Sequence, residues 1–237
     1  MIYAEILAGG KGSRMGNTDM PKQFLMVGSK PVFIHTVEQF LVNRRIDKVL
    51  ICCPNQWIAH TKDMLKKYVS DTSKVFVVEG GATRNDTILN GCRFIEEKFG
   101  LNEDDIILTH DAVRPFLSQR IIDDNIDGAL KYGAVDTVIE ATDTIVHSVD
   151  KKVIADIPIR DQMYQGQTPQ TFNIKQLMNL FASLTEEEKE ILTDACKALV
   201  LKGHAVHLVK GETYNIKITT QYDLKVAKWL VEGEKND

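Results

Sequence analysis

At 237 residues, with 43% hydrophobic and 26% charged side chains, the chain can bury one large core and is not of disordered composition. A net charge of −4 and a pI near 5.9 exert no long-range pull on nucleic acid or an anionic membrane, so any positive site is local. No apolar run reaches membrane-spanning length and no basic-then-apolar leader is present, which predicts a soluble, cytoplasmic protein with neither nucleic-acid nor membrane partners. In chain order, Ile2–Leu7, Val49–Cys53, Val75–Val78 and Ile106–Thr109 are short and rich in Ile and Val, as buried strands are. Between them, Val32–Leu41 and Thr87–Phe99 carry apolar residues at helical spacing, and Gly100 suits the end of the second. Strand alternating with helix predicts a parallel sheet covered on both faces, with ligands at the carboxyl ends of its strands. Val135–Ile159 breaks the rhythm as two strand-like runs joined by a polar turn at Ser148–Lys152. The stretch from Thr185 to Gly203 reads as one helix with a Thr185/Glu188 capping box. "AVHLV" and "NIKIT" read as strands, and a last helix starts near Thr220 with Leu224, Ala227 and Leu230 on its apolar side. Cys52, Cys53, Cys92 and Cys196 lack metal-ligand spacing and are expected as reduced, buried thiols.

The loop "EILAGGKGSRMG" follows the first strand, where glycines usually let backbone amides approach a phosphate. A Walker loop requires a glycine five residues before Gly10, and Glu5 stands there. Gly10, Gly12 and Gly16 miss the dinucleotide fingerprint by one residue, and the second strand ends at Cys53–Pro54 without an acid for a ribose hydroxyl. Two readings stay open: a loop that wraps a nucleoside triphosphate and brings Lys11 and Arg14 to it, or a glycine turn with two solvated cations. "GGATRNDT" repeats the pattern at another strand end, with Arg84 entering a helix. "THDAVRPF" puts Asp111 where a buried strand leaves the sheet, a natural place for a Mg²⁺ ligand beside a triphosphate, with Arg114 three residues on. His110 reads as a packed or hydrogen-bonded side chain, and Lys217 in "NIKIT" taken alone reads as a solvated strand residue.

Taken together and in order, "LAGGKGSRMG", "PKQF", "GG..R.D", "HDAVRPF", "QTPQTF", "TDA" and "NIKIT" resemble the cytidylyltransferases that activate sugar-alcohol phosphates, over residues 2 to about 230. The resemblance implies a Rossmann-like, glycosyltransferase-A-like α/β nucleotidyltransferase domain over 1–237, with a protruding β-hairpin arm at about 138–160. It implies CTP held by Leu7, Ala8, Gly9 and Gly10 together with Gly81, Ala82, Thr83, Arg84, Asn85, Asp86 and Thr87. It further implies that Arg14 and Lys22 stabilise the pentacoordinate α-phosphate and that Asp111 holds Mg²⁺. The acceptor phosphate falls to Arg160, Lys217, Thr144, Thr168 and Arg114. "TRNDT" departs from the isoprenoid enzymes, which more often carry an acid before the arginine and a serine after the aspartate.

Such a transfer needs positioning and charge neutralisation more than acid–base chemistry, because a phosphate nucleophile needs little deprotonation at neutral pH. "THDAVRPFL", "YGAVDTVIEATDTIV", "MYQGQTPQTF" and "YNIKITT" look closer to the ribitol 5-phosphate enzymes of teichoic-acid-type wall synthesis than to the 2-C-methyl-D-erythritol 4-phosphate enzymes of isoprenoid synthesis. The expected acceptor is therefore D-ribitol 5-phosphate, with methylerythritol phosphate the alternative. A non-catalytic nucleotide-binding module is a third reading, opposed by the presence of both Arg14 and Lys22. Asp194 stands second to Asp111 as a metal ligand, with an exposed helix position its plainer reading. A lone hairpin is marginal in water, so the arm predicts a homodimer whose sites are shared through it.

Overall fold

The protein is described here by a computed structural model covering residues 1–10, 20–192 and 194–233. Arg14, with Lys11, Gly12 and Gly16, lies outside the described residues. The predicted strands form as β1 (Ile2–Leu7), β4 (Lys48–Cys53), β5 (Val75–Glu79) and β6 (Ile106–Asp111), with the short pair β2 (Met26–Val27) and β3 (Lys30–Pro31) between β1 and β4. β7 (Ala134–Glu140), β8 (Tyr164–Asn173) and β9 (His207–Lys210) complete one seven-stranded sheet, ordered β5-β4-β1-β6-β8-β7-β9. All neighbours are parallel except at β8, which runs against both β6 and β7. β1, β4 and β6 read as near-continuous apolar runs because helices cover both of their faces.

One layer comprises α1 (Val32–Val42), α2 (Ile58–Tyr68) and α4 (Gln119–Tyr132), where Phe33, Val37, Phe40 and Ile126 pack on Ala4 and Ile6. The opposite layer comprises α3 (Arg84–Phe99), α5 (Ile174–Ala182) and α7 (Ala195–Leu201), where Ile88, Ile95, Leu177 and Leu199 pack on Tyr3 and Leu50. A third, smaller cluster joins α8 (Gln221–Glu232) to Val27, Val113 and Ile218, so the C-terminal segment is pinned beside the strand ends. No helix among the described residues is long and apolar enough to cross a membrane. All four cysteines are free and buried, as expected.

Three expectations need correction. The stretch after Thr185 forms two helices, α6 (Glu186–Glu190) and α7, because Asp194 caps a new start by accepting from the Lys197 N–H at 2.8 Å. "NIKIT" joins no strand; side-chain bonds from Asn215 and one bond from the Ile218 N–H to the Val113 carbonyl (2.9 Å) hold it instead. On α8, Leu224 and Ala227 are buried but Leu230 is 42% exposed. The arm departs in part. Thr137–Glu140 belongs to β7 of the main sheet, and residues 141–163 make the excursion. Its turn sits where predicted, with Asp150 Oδ1 accepting from the Lys152 and Val153 N–H groups, both at 2.9 Å. Beyond one bridge between His147 and Asp156 it forms no strand, and among the described residues no strand pairs with it.

Candidate active site

The carboxyl ends of β1, β5 and β6 surround a cavity of about 380 Å³, the size range of a small-molecule site. At β1 the chain leaves the sheet through Leu7–Gly10. The Ala8 N–H donates to the Cys52 carbonyl (2.8 Å), and Gln23 Nε2 donates to the Ala8 carbonyl (2.7 Å). This ties the glycine loop to "PKQF", where Pro21 starts one tight helical turn, Lys22–Phe24. Phe24 anchors that turn, edge-on to Phe33 (5.5 Å) and against Trp57 (5.1 Å). Lys22 is thereby held at the cavity wall, 8% exposed and beside Gly10. Burial pushes the Asp223 carboxyl up, but the N–H groups of Thr219 and Thr220 and the Lys22 charge outweigh it and hold that acid below its ordinary value.

At β5 the chain turns into α3 through Gly80–Thr83. Thr83 and Asp86 form a reciprocal capping box, and the Gly81 N–H donates to Thr87 Oγ1 at 3.0 Å. A Cβ on Gly81 would collide with Asp86, so this close turn demands glycine. The amino end of α3 opens on the cavity, and such an end favours anions through its free N–H groups and dipole.

Asp111 ends β6 and faces this helix end. Its carboxylate meets Arg84 Nη1 at 2.8 Å, Lys217 Nζ at 2.9 Å and Arg114 Nε at 3.3 Å. Burial alone would raise its pKa, but the three cations outweigh burial and hold the carboxyl well below the usual range. Arg114 lies behind the wall, its Nη1 donating to the Asn215 carbonyl at 2.7 Å. Below the loop, Glu5 is fully buried and its carboxyl is pushed up to about 8 by burial; among the described residues only the Cys52 thiol donates to it, at 3.1 Å.

Of the nucleotide set expected from sequence, Leu7, Gly9, Gly10, Gly81, Ala82, Thr83, Arg84 and Thr87 line the cavity, together with Lys22, Asp111 and Lys217. Ala8 is buried behind it. Asp86 is spent on its cap, and with Asn85 it borders a neighbouring groove that also takes in Arg93 and Phe181. His110 is buried and hydrogen-bonded, and Asp194 is a helix cap. Thr168 is buried behind Asp111, whose N–H donates to its hydroxyl at 3.2 Å. Thr144 and Arg160 are not brought to this cavity. Thr144 is exposed on the arm, and Arg160 borders a separate hollow with Glu140 and Thr142. Gln23, Gln170 (3.4 Å from Arg84 Nη2), Asn215 and Thr219 belong to the site without having been assigned from sequence. All four sit inside or next to the quoted motifs, which was the available signal.

Among the described residues no three His, Cys, Asp or Glu side chains gather as a metal site. Asp111 offers one carboxylate on the cavity wall, which fits a Mg²⁺ that arrives on a triphosphate and takes its other ligands from phosphate and water.

Residues 2–233 match the family model described as 2-C-methyl-D-erythritol 4-phosphate cytidylyltransferase, IspD. The fold is similar to the 4-diphosphocytidyl-2C-methyl-D-erythritol synthase of Anaerococcus prevotii, at 29% identity over 98% of this chain and 96% of the other, TM-score 0.78. It is likewise similar to the 2-C-methyl-D-erythritol 4-phosphate cytidylyltransferase of Francisella tularensis, at 28% identity over 96% and 98% of the two chains, TM-score 0.79. The corresponding Thermus thermophilus enzyme is 25% identical over 98% of this chain and all of its own (100%), TM-score 0.72.

Proposed function

The chain belongs to the 2-C-methyl-D-erythritol 4-phosphate cytidylyltransferase family of CTP-dependent nucleotidyltransferases, and we propose that it forms a CDP-alditol from CTP and an alditol phosphate. The observation that carries this is the cavity itself. Glycine backbone, a helix amino end, Lys22, Arg84 and Lys217 converge on it with Asp111, the one carboxylate among the described lining residues. An acceptor phosphate oxygen attacks the α-phosphorus in line; the new P–O bond forms as the bond to the β-phosphate oxygen breaks, and pyrophosphate leaves. The helix end and Arg84 receive triphosphate charge, while Lys22 and Arg14 meet the charge that builds at the α-phosphorus. Lys217 and, through Asp111, Arg114 orient the acceptor side. Asp111 would hold Mg²⁺, whose charge would offset that of the triphosphate.

For the acceptor, the family description and the names of the solved relatives favour 2-C-methyl-D-erythritol 4-phosphate over the ribitol 5-phosphate expected from sequence. Ribitol 5-phosphate stays the second reading because of the four stretches quoted above, from "THDAVRPFL" to "YNIKITT". Pyrophosphate release is measured with CTP or ATP against each acceptor. The expectation is strong CTP preference, since a close glycine-lined pocket excludes a purine, and turnover with one alditol phosphate only. Equal kcat/KM for ATP and CTP refutes the nucleotide assignment, and turnover with ribitol 5-phosphate alone reverses the order of acceptors.

A further inference from the structure

The segment that carries Lys217 to Asp111 runs off the sheet. Its backbone leaves β9 where the Gly211 N–H donates to the Val138 carbonyl (2.7 Å), and it is caught again where the Ile218 N–H meets the Val113 carbonyl (2.9 Å). Between these points the side-chain amide of Gln167, on β8 and 7% exposed, grips the chain. Its Nε2 donates to the Glu212 carbonyl at 2.8 Å. Its Oε1 accepts from the Glu212 N–H at 3.3 Å and from Asn215 Nδ2 at 3.2 Å. Chemistry fixes this orientation, because a flipped amide would set its oxygen against a carbonyl and its NH₂ against two donors. Gln167 thus meets both backbone groups of one residue, as a neighbouring strand would.

Further contacts serve this grip. A Cβ on Gly211 would collide with Gln167 Oε1, so the close approach demands glycine there. From α4, Arg120 donates to Glu212 Oε1 through Nε (3.1 Å) and Nη2 (2.8 Å), and Nη2 also donates to the Lys210 carbonyl at 3.0 Å. Asn215 passes the hold onward, with Nδ2 also donating to the Thr168 carbonyl at 2.9 Å. Two residues on, Lys217 Nζ reaches Asp111 at 2.9 Å with its side chain 40% exposed. A side chain that exposed is not packed into place, so its reach is set by where the backbone beneath it is held.

We infer that Gln167, and Arg120 acting through Glu212, are positioning residues that set where Lys217 meets the acceptor. Neither is among the described residues that line the cavity, so both act through the segment they hold. The part Lys217 plays in transfer rests on the proposed function, whereas the hold on residues 211–217 rests on geometry alone.

Two measurements keep these apart. Amide hydrogen exchange of the full chain, read by mass spectrometry without substrate, should run about tenfold faster over residues 211–217 in Gln167→Leu, with residues 80–87 unchanged. Unchanged exchange over 211–217, or equal acceleration of both segments, overturns the positioning role whatever the enzyme does. In kinetics, Gln167→Leu should lower kcat/KM for the acceptor on the order of tenfold to a hundredfold, as misplacement of reacting groups does. The Kd for CTP, measured by calorimetry, should stay at the parent value, and an equal loss there would show that the whole site is disturbed. Adding Gln167→Leu to Lys217→Ala should cost nothing further, because both act through one ammonium group. Full additivity of the two would overturn the assignment. Arg120→Ala, a change at the surface, should move exchange and kcat/KM the same way by about threefold. If Gln167→Leu does not fold, Arg120→Ala decides by the same two readouts. If no acceptor turns over at all, the proposed function fails while the exchange result stands.

Discussion

Asp111 holds one negative charge among three cations, and the arrangement makes opposite demands on its neighbours. Arg114, with a side chain 10% exposed, cannot lose its partner cheaply, because a buried charge left unpaired costs about 3 kcal/mol or more. Asp111→Asn should therefore lower stability by roughly that amount in thermal or denaturant unfolding, and it should raise the Mg²⁺ concentration needed for half activity. An unchanged Mg²⁺ requirement would move the ligand role away from Asp111. Arg84 reaches the same carboxylate from across the cavity at 2.8 Å, where a divalent ion would have to compete with it. Arg84→Gln should thus bind Mn²⁺ more tightly than the parent when no nucleotide is present, while losing affinity for CTP. Titration calorimetry with the metal alone tests this, and equal or weaker metal binding by the variant rules out competition. Lys22 should act mainly on turnover. Lys22→Ala, and Arg14→Ala with it, should cut kcat about a hundredfold, some 3 kcal/mol, with a smaller effect on CTP binding. A variant that changes only KM would reduce the side chain to a ground-state contact.

On β1, Glu5 interrupts a buried apolar strand, and Gly91 of α3 makes room for its carboxylate, where a Cβ would collide. Its Oε2 has no hydrogen-bond partner among the described residues. Burial raises its pKa to about 8, so between about pH 4.3 and 8 the folded chain keeps a proton that the unfolded chain has lost. Stability must fall as pH rises through that window, by at most roughly 5 kcal/mol, and level off above it. Glu5→Gln should remove this slope, so its advantage in Tm over the parent should widen from pH 5 to pH 8. A gap that stays constant across that range would show that Glu5 does not titrate there. The same strand shows what the sequence reveals readily. β1, β4 and β6 are buried on both faces, so their Ile and Val runs announce themselves, and the Thr185 capping box and the helix start near Thr220 are local signals that form as read. Misreadings arose where a local pattern had two outcomes. The apolar spacing from Thr185 to Gly203 runs on across Asp194, which starts a second helix. The alternation in "NIKIT" suits a strand, but Asn215 ties the segment down by side-chain bonds instead. The gathering of Arg84, Arg114 and Lys217 on Asp111 joins distant stretches of chain, which no local pattern encodes. The motifs supplied the residue types for that cluster, and the sheet supplied its geometry.

Val149, Val153 and Ile159 are 81%, 67% and 65% exposed along residues 141–163, an apolar display with nothing among the described residues to cover it. Isolated exposed apolar residues are ordinary, but several along one protruding, unpaired excursion suit burial against another surface. Thr144 and Arg160 lie on this excursion, away from the cavity that holds Lys22 and Lys217, although both match acceptor-phosphate positions by resemblance. A twofold pairing in which arms cross would cover the apolar display and carry Thr144 and Arg160 to the other copy's cavity, and closed twofold pairing is the commonest symmetry available. The competing arrangement is an arm that folds back so that each chain supplies its own full site. Mixing Lys22→Ala with Arg160→Ala under subunit exchange distinguishes them. With shared sites, one site of each heterodimer draws Lys22 and Arg160 from the two unmutated positions, and the other site carries both defects. Random exchange at equal amounts makes half the dimers mixed, so activity should recover to about a quarter of the parent. With self-contained sites every site keeps one defect, and the mixture stays at the mean of the two inactive variants even after exchange is verified by mass-tagged subunits.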